Sequence, residues 1–284
     1  MGLALGGGGA RGFAHIGVLK VLEAEGILPG LLSGTSMGGI VAAFLACGLS
    51  TEQMEKEARR LGKLPNIIKL LGDDFSNLDY LVSGDSVTNY LSGIKEINRQ
   101  FDQVEIPLAL CSVDMLTGEI IALQDGKILE ALNATIALPG IIEPVCQNGK
   151  CLIDGGSLNN VPSDFVRSMG AEVVVAVDVS PDIKNEKFWK EQRLPAIAAA
   201  NWRTNAIMVA HITSARQRAA RTDLIIRPEL LPDITTLSGF KYLSTIIEAG
   251  AHAATENLPA IKKLLKKKIF FFGQKIVRAE PVEL

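Results

Sequence analysis

The chain has 284 residues, 48% of them hydrophobic, with 29 basic side chains against 31 acidic and a net charge of −2. A chain of this size and apolarity buries about three quarters of its unfolded surface, which excludes disordered, collagenous and disulfide-scaffold classes. Its near-neutral charge lacks the basic bias that draws nucleic acid, so no DNA or RNA partner is expected.

Leu3–Leu5 is a short apolar strand that stops at Gly6–Gly9, and the helix after it carries Phe13, Ile16, Leu19 and Leu22 on one face. The fold is expected to start at residue 2, with no leader pattern ahead of it. Gly6 stands where a myristoylation signal on Gly2 needs Ser or Thr. Leu31–Ser33 is a second strand, and Ile40–Leu45 is apolar on all sides, hence a buried helix. The stretch from Gly26 to Thr51 is uncharged and long enough to span a bilayer, but Pro29, Gly30, Gly34, Gly38 and Gly39 divide it into strand, turn and helix. Residues 52–103 turn charged and helix-prone, with breaks at Leu64-Pro65-Asn66 and Ser83-Gly84-Asp85, and predict covering helices, with a lid as the alternative.

Pro107–Val113 and Glu119–Leu123 flank Thr117-Gly118 as a strand pair. Ile128–Leu138 is a helix stopped by Pro139-Gly140, Leu152-Ile153 runs into Asp154-Gly155-Gly156, and Val173–Val179 is a buried strand of parallel character. Phe188–Ala220 and Tyr242–Lys268 are helical, with Leu224–Ile226 as the last strand between them. This alternation predicts one domain over residues 1–268, a three-layer α/β/α sandwich with a mostly parallel central sheet, and a tail at 269–284. Cys47, Cys111, Cys146 and Cys151 lack C-x-x-C spacing and are expected as reduced, buried thiols in a cytoplasmic protein.

Three glycine motifs carry the chemistry. Gly34-Thr35-Ser36-Met37-Gly38 matches G-x-S-x-G between strand and helix, the setting in which a strained turn pushes a serine hydroxyl outward. Alone the pattern arises about once per seven such sequences, and a capped glycine turn is the plain alternative. Gly7-Gly8-Gly9-Ala10-Arg11-Gly12 matches G-x-G-x-x-G, yet the acidic residue a dinucleotide loop needs about 20 positions on is missing between Gly26 and Thr51. As an oxyanion hole the loop offers backbone amides at a helix mouth, with Arg11 either adding a cation or anchoring the loop. Asp154-Gly155-Gly156 lets a carboxylate sit at a strand end close to another backbone. By chance the three occur together in roughly a few sequences per thousand.

A serine nucleophile needs a base. His15, His211 and His252 carry no motif of their own, and two arrangements stay open. One is a triad of Ser36 with His211 or His252 and Asp178 or Asp154; the other is a direct Ser36–Asp154 pair in which burial raises the carboxylate's proton affinity.

Further residues extend the pattern: Leu5 through Gly12, His15-Ile16-Gly17-Val18-Leu19, Ala137-Leu138-Pro139-Gly140, Pro144-Val145, and Asn159-Asn160 with Pro162 after the aspartate motif. Together with the elbow they resemble the patatin-like phospholipase family of serine acyl hydrolases in its compact bacterial form, over about residues 2–268. Gly6 departs from the Asp that relatives often carry before the glycines, and residues 52–103 align least. The resemblance implies a patatin-like fold and a Ser–Asp dyad without a catalytic histidine. Ser36 is then the nucleophile, Asp154 the base, and Gly7, Gly8 and Gly9 the oxyanion donors. Arg11, Gly12, Gly34, Met37, Gly38, Gly155 and Gly156 support them. No metal or organic cofactor is implied, and the substrate is a phospholipid, a lysophospholipid or another fatty-acyl ester.

Near the C-terminus Leu258, Ile261, Leu264 and Leu265 form an apolar stripe beside Lys262, Lys263, Lys266, Lys267 and Lys268, followed by Phe270, Phe271 and Phe272. Packing on the core with a solvated lysine face is the favoured reading, and peripheral contact with anionic lipid at the inner membrane surface is the other. Two classes compete with a hydrolase: a nucleotide- or phosphate-binding module held by the glycine loop, and a non-catalytic regulator on the same fold.

Overall fold

The computed structural model describes residues 1–61, 84–184, 196–231, 234 and 239–276. The expected break at Leu64-Pro65-Asn66 and the beginning of the helix expected from Phe188 lie outside them. Eight strands form one sheet: β1 (Gly2–Leu5), β2 (Leu31–Thr35), β3 (Leu108–Asp114), β4 (Glu119–Leu123), β5 (Val145–Gln147), β6 (Lys150–Asp154), β7 (Val174–Val177) and β8 (Leu224–Ile226). Among the described residues the α-helices are α1 (Ala14–Ala24), α2 (Met37–Ala46), α3 (Thr51–Leu61), α4 (Gly84–Ser92), α5 (Ile128–Thr135), α6 (Ser163–Ser168), α7 (Ala196–Ala219) and α8 (Leu243–Ile276).

Strands β8, β7, β1, β2 and β3 lie side by side and parallel, while β4 and β6 run antiparallel to β3 and β5 antiparallel to β6. Strand alternation sorts the two faces. Leu3, Leu5, Val175 and Val177 point into the larger core with Ile16 and Leu19 of α1, Val41 of α2 and Ile246 of α8. Ala4, Val174 and Ala176 point the other way, onto Val166 of α6. Helices thus cover both faces, and the chain is the three-layer α/β/α sandwich that its alternation predicts.

The uncharged stretch from Gly26 resolves into β2 and α2, and no described helix is long and apolar enough to cross a membrane. On α8, Ile261 is fully buried and Leu264 and Leu265 pack against the core, while Lys262 reaches Glu25 at 2.6 Å. The packing reading of the apolar stripe therefore holds. The helix expected to end at Lys268 continues to Ile276. The side chains of Lys267, Lys268 and Phe270 to Phe272 lie outside the described residues.

Strand β5 has no counterpart among the expected elements. It forms a hairpin with β6 through Asn148 and Gly149, both in the left-handed region at φ 52° and 75°, which is the turn that Asn-Gly favours. The same hairpin corrects the cysteine expectation. Its register sets Cys146 opposite Cys151, and the two are joined as a disulfide; Cys47 and Cys111 are free and buried. Only Cys47 and Cys111 match the expected free, buried thiols.

β3 organises the site. One of its edges is taken by β4 from Leu110 to Asp114. On the opposite edge β2 pairs from Leu108 as far as Cys111, which faces Thr35, and β6 then takes over that edge with Asp154 facing Ser112. β2 and β6 therefore meet end to end, approaching from opposite directions.

Candidate active site

Ser36 follows the last residue of β2 and precedes the first of α2, at φ 54° and ψ −127°. A non-glycine residue held there is strained, and such strain persists only where the surroundings enforce it. Two contacts do so. A Cβ on Gly38 would lie 2.3 Å from the Leu5 carbonyl oxygen, so only glycine lets α2 lie this close to β1. Gly34 and Gly38 touch in the same way, and Met37 packs onto Gly12 of the first loop. The Ser36 amide, for its part, donates to Thr135 Oγ1 at 3.1 Å, and the Thr135 hydroxyl donates to the Cys111 carbonyl.

Because β6 stops where β2 stops, the side chain of Asp154 comes to the serine. Its Oδ1 accepts the Gly156 amide at 2.7 Å, and the Ser36 hydroxyl lies close enough to draw the carboxyl's pKa down. Gly155 lies flush against β3, where a Cβ would be 2.5 Å from the Cys111 carbonyl oxygen. Asp154 is only 2% exposed while Ser36 is half-buried. Burial pushes the Asp154 carboxyl up from 3.8 to about 6, against the two hydrogen bonds that pull it down.

No histidine joins this pair. His252 is exposed on α8 beside Glu256, His211 is exposed on α7, and Asp178, the other acid a triad would enlist, faces Arg227. His15 is fully buried, and its Nε2 lies 2.7 Å from the Gly6 carbonyl, which can only accept, so that nitrogen carries the proton. Burial pushes its pKa down to about 4, which leaves the ring neutral at pH 7. The role of His15 is to hold the glycine loop.

The loop departs from expectation at one amide. The Gly7 N–H donates to the Asn160 carbonyl at 3.0 Å, so it is not open to an oxyanion. The amides of Gly8 and Gly9 have no acceptor among the described residues; Gly8 caps and Gly9 opens the 3-10 turn Gly9–Phe13 that leads into α1, where first-turn amides point outward. Arg11 proves to be an anchor. It is buried and donates to the carbonyls of Val179 at 2.7 Å and Ile234 at 2.9 Å, with burial pushing its pKa down to about 10 and Asp178 pulling it back. Asn160 adds a second strut, its side-chain amide donating to the Gly7 carbonyl at 3.2 Å and to Ser180 Oγ at 3.0 Å. The sequence motifs assign no role to Thr135 or Asn160; the Asn159-Asn160 pair so soon after the aspartate motif is the visible signal for the latter.

The chain is similar to known proteins. The model of the patatin-like phospholipase family matches residues 3–166. Patatin-like phospholipase domain-containing protein 6 of Homo sapiens is 33% identical over 180 residues, 62% of this chain and 13% of its own length. Lysophospholipase nte1 of Aspergillus fumigatus is 30% identical over 192 residues, 63% of this chain and 12% of its own length. Among solved structures, VipD from Legionella pneumophila aligns over 91% of this chain and 66% of its own at 15% identity, with a TM-score of 0.49.

Proposed function

The chain belongs to the patatin-like phospholipase family, and from that membership we propose that it is a serine esterase that cleaves fatty-acyl esters of phospholipids or lysophospholipids through a Ser36–Asp154 dyad. The name of a fungal relative, lysophospholipase nte1, agrees with this substrate class. One observation carries the reading: a strained, half-buried serine lies beside a buried carboxylate whose proton affinity burial has raised.

In the first step Ser36 Oγ attacks the acyl carbonyl carbon while Asp154 takes the hydroxyl proton. The developing oxyanion is met by the amides of Gly8 and Gly9, fixed beforehand by their loop. Collapse breaks the ester C–O bond, the proton on Asp154 passes to the departing alcohol, and the acyl group stays on Ser36. Water then adds to the acyl-enzyme with Asp154 again as base. The second collapse breaks the bond to Oγ, releases the fatty acid and returns the proton to Ser36. Every proton that moves has Asp154 as its carrier, so no histidine is required.

Hydrolysis of a nitrophenyl acyl ester, with fluorophosphonate labelling of Ser36, tests the proposal. Ser36→Ala is expected to abolish both. Full activity in that variant would give the nucleophile's role to another residue, and neither hydrolysis nor labelling by the native chain would turn the case towards an anion-binding module. Peripheral contact with anionic lipid is proposed through the exposed Lys263 and Lys266 of α8. Unchanged co-sedimentation of Lys263→Gln/Lys266→Gln with anionic vesicles would overturn that part alone.

A further inference from the structure

We infer that Thr135 to Ala137, the end of α5 and the two residues after it, form a clamp that sets the spacing of Ser36 and Asp154, with Thr135 as a positioning residue. The inference rests on the dyad reading above. Where β2 and β6 meet on one edge of β3, no ladder bond joins the two strand ends. The amides of the two residues that flank the join turn instead to a common segment. Ser36 donates its N–H to Thr135 Oγ1 at 3.1 Å, and Asp154 donates its N–H to the Ala137 carbonyl at 2.9 Å. Only Ile136 separates the two acceptors, so a short stretch of chain spans nucleophile and base.

The same segment is tied to the strand that carries both. The Thr135 hydroxyl donates to the Cys111 carbonyl, the group against which Gly155 closes and whose residue faces Thr35 across the ladder. Thr135 and Ala137 are both fully buried. A threonine in a helix commonly turns its hydroxyl back to a carbonyl one turn earlier. Thr135 does not; its hydroxyl bridges two other elements, accepting from the elbow and donating to β3. That use of the side chain favours positioning of Ser36 over simple packing.

The test compares kcat, KM and the pH profile on a nitrophenyl acyl ester. Thr135→Val keeps the shape and removes both hydrogen bonds. It is expected to lower kcat by about 100-fold, the scale of a misplaced reacting group, with KM unchanged. The acid limb of kcat/KM should also move to higher pH, because a displaced Ser36 hydroxyl no longer draws the Asp154 carboxyl down. Thr135→Ser, which keeps the hydroxyl, should stay within about 3-fold of the native rate with the limb in place. Thr135→Ala should follow the Val variant. If circular dichroism shows Val and Ala variants unfolded, Thr135→Cys, a weaker donor and acceptor, takes their place, with about 10-fold loss and the same limb shift expected. A folded Val, Ala or Cys variant with native kcat, or a Ser variant that loses as much as Val, overturns the clamp. Ser36→Ala measured alongside separates the outcomes: if it is inactive while Thr135→Val is native-like, only the clamp fails, and if it is active the dyad itself falls.

Discussion

Two turns of similar build lie next to each other in the sheet and reach their ends by opposite means. Between β1 and α1 the chain displays amides, which needs side chains to be absent at the glycines, and the loop is held by struts, Arg11 reaching out of it and His15 and Asn160 reaching to it. Between β2 and α2 it displays a hydroxyl, which needs a side chain, and the backbone under it is bent to φ 54° and held by close packing on β1 and by Thr135. A donor made of backbone requires struts; a nucleophile made of side chain requires strain. The turns also interlock, Gly38 against the Leu5 carbonyl and Met37 against Gly12.

The contrast breaks most completely where the two turns touch. Gly38→Ala drives a methyl to 2.3 Å from the Leu5 oxygen. We expect a stability loss of about 3 kcal/mol, read from the urea midpoint, with Ser36 labelling abolished. If the variant is stable and active, the turns are independent.

Asp154→Asn should separate chemistry from stability. Loss of the base is expected to lower kcat/KM about 1,000-fold. In the native chain kcat/KM should rise with pH to about 6 and then level, since the ionised carboxylate is the active form. Stability runs the other way. The folded pKa, about 6, lies above the ordinary 3.8, so ionisation opposes folding: the penalty is absent below 3.8, grows between the two values and is full above 6. Asp154→Asn removes up to about 3 kcal/mol of it, so its Tm advantage should be larger at pH 8 than at pH 4. A Tm gap that ignores pH would deny the carboxylate its raised proton affinity.

The struts come next. Arg11→Met strands the buried carbonyls of Val179 and Ile234. It should cost about 2 kcal/mol and lower kcat, while KM stays close to native. His15→Gln sharpens the comparison with the smallest effect, about 1 kcal/mol at pH 7. His15 has a folded pKa of about 4 against an ordinary 6.5, so the unfolded chain takes up the proton first and stability is lost as pH falls between those values. Glutamine does not titrate, and the variant's deficit in urea unfolding should shrink at pH 5.

Much of this was legible in the chain itself. Short apolar runs ending in glycine revealed β1, β2 and the strand before Asp154, because each lies within a few residues of its own punctuation. What joins them was not legible. Neither Ser36 nor Asp154 carries any local sign that β2 and β6 share an edge of β3; that follows from register between distant segments. The closure of the Gly7 amide by Asn160 is hidden for the same reason, since an exposed and a bonded glycine read alike. β5 was readable in principle. Asn148-Gly149 is a strong hairpin signal, but three partly exposed residues make a weak strand pattern.

The head-to-head meeting of two strands on β3 makes the chemistry a matter of counting. Were β6 to slide by a single residue, Asp154 would present its carboxylate to the opposite face of the sheet, and the serine would face a hydrophobic neighbour, Ile153, instead. Insertions within residues 52–103, by contrast, leave that count untouched, because β3 re-enters at the same rung however long the detour. Tolerance to length and intolerance to slippage are two results of one seam.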